Sequence, residues 1–284
     1  MILENTISVC SIADIETWKV ASPRIVRKIS SSSYTVITPN NDLQAFIECS
    51  PREFNVVPEE EYVDSRFRKL LQERVAESSI GIGRYGWYLQ QFLKLSALKR
   101  TSEEGTSLIW DADTAPLRRL SFEKDGKILF YKGDEHHKPY FNAIDILLGL
   151  KKTSPFSFIA QCLPYRGSWS KNLFRLIENK AQKSWEMAIL DSINFSESSG
   201  FSEYETLGTF AASQYPGEFT AINNSWQRFG NGLIGSANNL WLFESALKAK
   251  YAFISFEKWD EPYSFYPGRK LRRRLKRMRQ RQAA

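Results

Sequence analysis

The sequence has no long hydrophobic run, only three cysteines and only two histidines. No apolar stretch approaches the roughly 20 residues that a helix needs to cross a bilayer, so the sequence predicts no membrane-spanning helix. The cysteines are scattered, without the spacing of a metal site or a disulfide framework, and we therefore expect a reduced, cytoplasmic setting. The opening residues lack a basic segment followed by an apolar one, so they do not predict a secretory signal.

Positive charge is scarce outside one segment. The net charge is +7, but residues 269–284 contain nine Lys and Arg residues and no acid. The rest of the sequence contains the other 30 of the 39 Lys and Arg residues and all 32 acidic residues. The body of the protein is therefore slightly acidic and shows no recognisable nucleic-acid-binding module. Its hydrophobic content of 42% is enough for one sizeable core.

Short apolar runs alternate with helical patterns along the chain. The pattern predicts strands at 6–12, 33–38, 54–57, 106–110, 156–163, 218–222 and 251–257. It predicts helices around 42–49, 65–76, 86–99, 139–150, 169–179, 184–193, 201–213 and 238–249, and from the first strand to Ile29. Asp125-Gly126 between two such runs predicts a hairpin. Alternation of this kind indicates βαβ units with a mostly parallel sheet. We expect one α/β domain over residues 1–266 and a basic tail over 267–284.

The most informative segment is LIWDADT, in which a buried strand ends at two carboxylates, Asp111 and Asp113. In open α/β sheets, ligands bind at the carboxyl edge of the strands. Residues two apart in an extended segment point the same way, so both carboxylates can converge on one hard cation. Such a cation would bind phosphate oxygens and neutralise a leaving diphosphate. The alternative is that an Asp at an exposed strand end only caps a turn.

Further segments make the pattern more specific. They are, in order, GWYLQQFLKLSAL, SLIWDADTAPLRRLSF, DGK, HHKPYF, FSFIAQCL and FSEYETLGTF. Together they resemble one bacterial family, long labelled as a domain of unknown function, that is similar to GT-A glycosyltransferases of surface-polysaccharide synthesis. The resemblance covers residues 1–260 and is concentrated between Gly86 and Phe210.

The resemblance implies a GT-A-like single domain with a Rossmann-like mixed, mostly parallel sheet flanked by helices. It implies that Asp111 and Asp113 hold Mn²⁺ or Mg²⁺ and that the donor is a nucleotide-sugar, with a UDP-sugar expected. The acceptor would be a hydroxyl of a glycan or lipid-linked glycan. Neither the sugar nor the linkage follows from it.

The resemblance also suggests residues on the donor side. Asp14 would accept a hydrogen bond from uridine or ribose, unless it is only a helix N-cap. Gln90 and Lys94 share a helix face beside the acidic turn, where Lys94 would orient an Asp or meet a phosphate; a solvated helix lysine is the alternative. His136 or His137 would bind phosphate or the metal, although paired loop histidines commonly face solvent.

The resemblance places the acceptor base in FSEYE. An inverting transferase needs a group that removes the proton of the acceptor hydroxyl. Glu203 is the first candidate and Glu205 the second. The alternative is a capping box between Ser202 and Glu205, which stand three apart, and this is why Glu203 ranks first.

The basic tail has a thin apolar stripe. Leu271, Leu275 and Met278 fall on one helical face among Arg and Lys residues. This pattern is typical of a segment that binds an anionic membrane surface, here the inner face of the cell membrane. Two other functions stay open: nucleic-acid binding through the tail, and nucleotidyl transfer, for which the sequence lacks a Gly-rich phosphate loop.

Overall fold

A five-stranded sheet forms the centre of the structure, a computed structural model that describes residues 1–223 and 225–260. Its strands are β1 (Leu3–Val9), β2 (Ser31–Thr38), β3 (Phe54–Pro58), β4 (Thr106–Trp110) and β8 (Cys162–Arg166). They lie in the order β3-β2-β1-β4-β8, the first four parallel and β8 antiparallel to β4. The expected α/β fold with a mixed, mostly parallel sheet is confirmed.

Helices cover both faces of this sheet, as a parallel sheet requires. They are α1 (Ile15–Lys28), α2 (Leu43–Cys49), α3 (Ser65–Ala76), α4 (Tyr85–Lys99), α5 (Lys138–Leu148), α6 (Gly167–Ala181), α7 (Trp185–Ser192) and α8 (Glu203–Gln214). The helix α4 lies at the centre of one layer, in contact with β1, β4, α3, α6 and α8. Most of its residues are buried, which explains why its sequence is apolar on nearly every face.

A second sheet of three short strands flanks the first. It consists of β6 (Glu123–Lys124), β7 (Lys127–Tyr131) and β9 (Phe219–Ile222). Asp125 and Gly126 join β6 to β7 with φ angles of 53° and 75°. Two central residues of positive φ match the right-handed twist of the paired strands, and the predicted hairpin is confirmed.

The C-terminal part of the described chain returns to the acidic turn. The strand β5 (Thr114–Pro116) directly follows that turn and pairs antiparallel with β10 (Phe253–Ser255). Two helices, α9 (Gly230–Ile234) and α10 (Leu240–Lys250), precede β10. The pairing of β5 with β10 therefore places residues after 255 beside Asp113.

The strand predicted at 156–163 is wrong in its first part. Residues 156–161 are irregular, apart from one isolated bridge between Gly133 and Ser157, and the strand begins only at Cys162. Two features interrupt it: the buried carboxylate of Glu205 accepts hydrogen bonds from Ser157 and from the Phe158 amide, and Gln161 has a φ of 62°. A positive φ in a residue other than glycine breaks a regular strand.

The predicted tail, residues 267–284, lies outside the described residues, as does the last part of the predicted domain after Asp260. In the part of the chain that the structure describes, no helix is long and apolar enough to span a bilayer.

Candidate active site at the acidic turn

The acidic turn is fixed by backbone and ring contacts. The Asp111 amide donates to the Gln161 carbonyl at 2.9 Å, and the Thr114 amide donates to the Asp111 carbonyl at 3.0 Å. The buried Trp110 indole donates to the Thr114 carbonyl at 2.7 Å. Asp111 and Asp113 therefore stand at the carboxyl edge of β4, where the sequence predicts a ligand site.

Three predicted residues meet in one buried cluster. Lys94 Nζ lies 2.6 Å from Asp111 Oδ1 and 2.8 Å from Glu203 Oε1, and the Lys94 side chain is 3% exposed. Tyr204 Oη also donates to Asp111 Oδ1, at 2.7 Å. Burial alone would lower the pKa of Lys94, but the two carboxylates outweigh it and raise this pKa above its usual value. Lys94 is thus a charged group bridging two acids, and not a solvated helix lysine.

The glutamine that joins this cluster is Gln91, and not the predicted Gln90. Gln91 is buried; its Oε1 accepts from the Glu203 amide at 3.0 Å and its Nε2 donates to the Trp87 carbonyl at 3.3 Å. Gln90 is half-buried and makes no side-chain hydrogen bond with a described residue. The sequence predicts correctly that α4 lies beside the turn, but it selects Gln90 in place of its neighbour Gln91. The reason is that α4 is apolar on nearly every face and shows no clear polar stripe.

Asp113 has a different environment. Its Oδ1 accepts from Thr114 Oγ1 and from Ser255 Oγ, both at 3.1 Å, and no Lys, Arg or His within residues 1–223 and 225–260 pairs with it. Burial raises the pKa of Asp113 to about 8, together with repulsion from Glu257, Asp111 and Asp14. A partly buried carboxylate among other acids is a place where a cation is favoured. Asp113 is therefore half-buried and does not lie exposed at the strand end.

The neighbouring acid Glu257 is held by residues that sequence reasoning missed. Arg228 Nε donates to Glu257 Oε1 at 2.6 Å and Arg228 Nη1 donates to Glu135 Oε2 at 2.7 Å. Gln161 Nε2 also reaches Glu257 Oε1, at 3.0 Å. One signal was available: Glu257 is an acid just after an apolar strand pattern, as Asp111 is.

Gln161 connects the two sides of the site. Its side chain binds Glu257, while its carbonyl accepts from the Asp111 amide. It is buried and has a left-handed φ of 62°, an uncommon conformation for a residue other than glycine. Backbone strain of this kind clusters at functional sites.

The remaining candidates on the donor side are Asp14, His136 and His137. Asp14 precedes α1, but its carboxylate makes no capping hydrogen bond and instead pairs with Lys258 at 3.0 Å. His136 is exposed against Phe141, with 4.8 Å between ring centroids. His137 packs on Tyr140 at 4.7 Å, and its Nε2 is buried without a partner in the described part of the chain.

The two glutamates of α8 point apart, as expected for neighbours two apart on a helix. Glu203 is 4% exposed, and its Oε2 has no hydrogen-bond partner among the described residues. Both oxygens of Glu205 are bound: Oε2 by Lys152 at 2.7 Å, and Oε1 by Ser157 and the Phe158 amide. Ser202 caps the helix by accepting from the Glu205 amide at 3.3 Å.

The donor set at the turn fits Mn²⁺ or Mg²⁺. The hydrogen bonds of Asp111 and Asp113 with described residues all involve Oδ1, and neither Oδ2 is enclosed by the protein. Hard cations prefer such carboxylate oxygens, and Mg²⁺ usually takes its other ligands from water and substrate phosphates. Among the described residues, no three His, Cys, Asp or Glu side chains form a metal-binding group, so the two aspartates would be the only such ligands there.

Comparison with known proteins identifies the family. The sequence model of a family described as a family of unknown function, DUF6492, matches residues 24–270. The chain belongs to this family. The resemblance of the motifs to a family of unknown function is therefore confirmed. No curated protein matches the sequence.

The chain is also similar in fold to solved structures, at low identity. Mouse xyloside xylosyltransferase 1 in its apo form is 11% identical, with a TM-score of 0.45, covering 93% of this chain and 100% of that chain. The galactosyltransferase LgtC, in complex with donor and acceptor sugar analogues, is 9% identical with a TM-score of 0.44, covering 89% and 86%. The glycosyltransferase GlyE of Streptococcus pneumoniae TIGR4, in its apo form, is 11% identical with a TM-score of 0.42, covering 94% and 57%.

Proposed function

We propose that this protein is a metal-dependent glycosyltransferase that moves a sugar from a nucleotide-sugar, with a UDP-sugar as the favoured donor, to a hydroxyl of a cell-surface glycan. The observation that carries the proposal is the pair of Asp111 and Asp113 at the carboxyl edge of the sheet, each with one oxygen not engaged by the described protein. Paired carboxylates with oxygens not engaged by the protein are the ligands that a divalent ion and a diphosphate require.

The two aspartates have separate roles in this proposal. Asp111 is already paired with Lys94, which fixes its direction, whereas Asp113 has only hydroxyl partners. A bound divalent ion would stabilise the negative charge that develops on the departing nucleoside diphosphate. The ion would also relieve the repulsion among Asp113, Glu257 and Asp111, so the protein gains from binding it.

The base assignment remains with Glu203. Lys94 holds Oε1 of this carboxylate, while Oε2 is left to accept a proton from an acceptor hydroxyl. Glu205 is unsuited to that role, since both of its oxygens are engaged and the side chain is fully buried. We assign Glu205 to holding the segment 152–158 against α8, and an inverting reaction with Glu203 as base is the proposed chemistry.

The proposed acceptor is a glycan carried on a lipid at the inner face of the cell membrane. The sequence feature that supports this location is the tail, with nine Lys and Arg residues and no acid in residues 269–284. Such a segment is attracted to anionic lipids.

A thermal-shift screen of the full-length protein tests the proposal. We expect UDP-sugars to raise the unfolding temperature only when Mn²⁺ is present, because the ion bridges protein and diphosphate. Asp113→Asn should lose this shift, while Asp145→Asn, an exposed control on α5, should retain it. If no nucleotide-sugar stabilises the wild-type protein with or without metal, the proposed function is wrong.

A further inference from the structure

The C-terminal part of the described chain exposes an unusual amount of apolar surface. Large hydrophobic side chains are exposed at twelve described positions, and five of them fall within residues 230–260. These five, which we call the α9–α10 surface, are Leu233 (49% exposed), Trp241 (71%), Leu242 (58%), Phe243 (43%) and Trp259 (53%). The other seven are spread over the rest of the chain. Trp241, Leu242 and Phe243 are consecutive, and neighbouring exposed hydrophobic side chains of this kind mark an interaction site.

The helix α10 explains part of this exposure. Only Leu240 and Leu247, seven residues apart on one face, are buried. These two leucines pack with Ala21 and Leu117 in one apolar cluster, and on the same side Glu244 forms ion pairs with Arg24 at 3.1 Å and with Lys28 at 3.3 Å. The consecutive Trp241, Leu242 and Phe243 therefore project from the first turn of a helix that is fixed on its opposite side.

The charge around this surface is positive. Lys248 and Lys250 are exposed in the last turn of α10. The acids of residues 225–260 are all neutralised or enclosed: Glu244 and Glu257 pair with arginines, and Asp260 is buried. Exposed aromatic and aliphatic side chains that share a helix with exposed lysines suit an anionic lipid interface.

The described part of the chain ends beside α9. Asp260 Oδ2 accepts from the Gly232 amide of α9 at 2.6 Å, so the chain leaves the described part beside Leu233. A side chain at Gly232 would stand 2.8 Å from Asp260 Oδ1, which shows how closely the two segments approach. In the sequence, the segment 269–284 with its nine Lys and Arg residues begins nine residues after Asp260.

We propose that the α9–α10 surface inserts into the headgroup region of an anionic membrane, with Trp241, Leu242 and Phe243 as the inserted residues. Trp259, which also belongs to this set of exposed residues, donates to Glu257, whose carboxylate repels Asp113. A membrane bound there lies beside the acidic turn. Only this link to a lipid-carried acceptor rests on the proposed function; the insertion itself does not.

The experiment is co-sedimentation of the full-length protein with vesicles of phosphatidylcholine and phosphatidylglycerol, 70:30, without donor or acceptor. The test variant is Trp241→Ser/Leu242→Ser, and the matched control is Ile146→Ser/Leu176→Ser, which removes exposed apolar side chains from α5 and α6. We expect the test variant to partition about tenfold more weakly, since two half-exposed large side chains contribute at least one factor of ten. The control should match the wild type.

Salt dependence and self-association distinguish membrane insertion from attraction by charge alone and from dimerisation. In 0.5 M NaCl the difference between wild type and test variant should persist, because salt screens charge but not apolar insertion. Equal partitioning of the wild type and the test variant would overturn the proposal. A second result would also overturn it: sedimentation equilibrium shows a dimer of the wild type, the test variant is monomeric, and vesicle binding is the same for both. In that case a second copy of the chain would cover the surface. Neither result depends on transferase activity.

Discussion

Lys94 Nζ lies 2.6 Å from Asp111 Oδ1, whereas Asp113, two residues further on, has no cationic partner in the described part of the chain. One carboxylate of the pair is therefore neutralised inside the protein and the other is not. This asymmetry governs both the stability of the site and its proposed affinity for a cation.

Removal of Lys94 should strongly destabilise the protein. Lys94→Met leaves Asp111 and Glu203 without their shared partner, and breaking a buried ion pair from one side typically costs about 3–5 kcal/mol. Urea unfolding measures the free energy. Lys99→Met on the same helix is the control, because Lys99 pairs with Glu178 at the surface and lies over the rings of Phe174 and Trp185, so its loss should cost about 1 kcal/mol. Similar losses in both variants would contradict a buried bridge.

Asp113 should make the metal-free protein less stable as the pH rises. Its pKa in the folded protein is raised to about 8 from an ordinary value of 3.8, so between these values the folded state binds a proton that the unfolded state has lost. The contribution to stability is present below pH 4 and disappears as the pH rises to 8. In EDTA, Asp113→Asn should therefore unfold at a higher temperature than the wild type at pH 8.5, with a smaller difference at pH 5. Asp145→Asn, which retains Asp113, should unfold at the same temperature as the wild type at both pH values.

Glu203→Gln should lower turnover by about 10²–10⁴-fold while the Kd for donor stays within a factor of a few, since base catalysis contributes to the chemical step and not to donor binding. Isothermal titration and initial rates measure the two quantities. A weakened donor Kd at normal turnover would instead show that Glu203 acts through Lys94 and Asp111. A protein that simply unfolds would indicate a structural role.

Glu205→Ala should loosen the segment 152–158. The change removes the partner of Lys152 and the acceptor for Ser157 and the Phe158 amide, which should cost about 3 kcal/mol or more. Hydrogen exchange should show lost protection at the Phe158 amide. Glu178→Ala, at a surface pair, should leave that amide unchanged, and unaltered protection in both variants would remove this role from Glu205.

Deletion of the tail after Gly268 should reduce binding to anionic vesicles at low salt and leave any residual binding insensitive to salt. Each positive charge near such a surface contributes about 1 kcal/mol, a contribution that salt screens. Vesicle co-sedimentation at 0.05 M and 0.5 M NaCl makes the comparison. Identical binding of both forms at low salt would show that the tail has no membrane role.

Local patterns were sufficient for much of the fold. The helix α3 and the strand β4 begin and end at the predicted residues, 65–76 and 106–110, because each has a clear periodicity and a clear boundary. Asp125-Gly126 predicted its hairpin because few sequences tolerate two positive φ angles. The contact of Lys94 with Asp111 follows because β4, the strand that ends at the acidic turn, lies next to α4.

Distant pairings were beyond local patterns. The reversal of β8, the choice of Gln91 over Gln90 and the bridge from Glu135 through Arg228 to Glu257 depend on how separate segments pack. The irregular backbone at 156–161 depends on a buried acid almost 50 residues later in the chain. Periodicity carries no information on such contacts.

The pairing of β10 with β5 has a consequence for synthesis of the protein. Ser255 Oγ reaches Asp113 Oδ1 from 142 residues further along the chain, and the Phe256 amide donates to the Asp113 carbonyl. On the ribosome, the acidic turn therefore emerges long before the segment that completes its surroundings. The nascent chain holds both aspartates in an unfinished setting until residues 253–256 have been synthesised and can pair with β5.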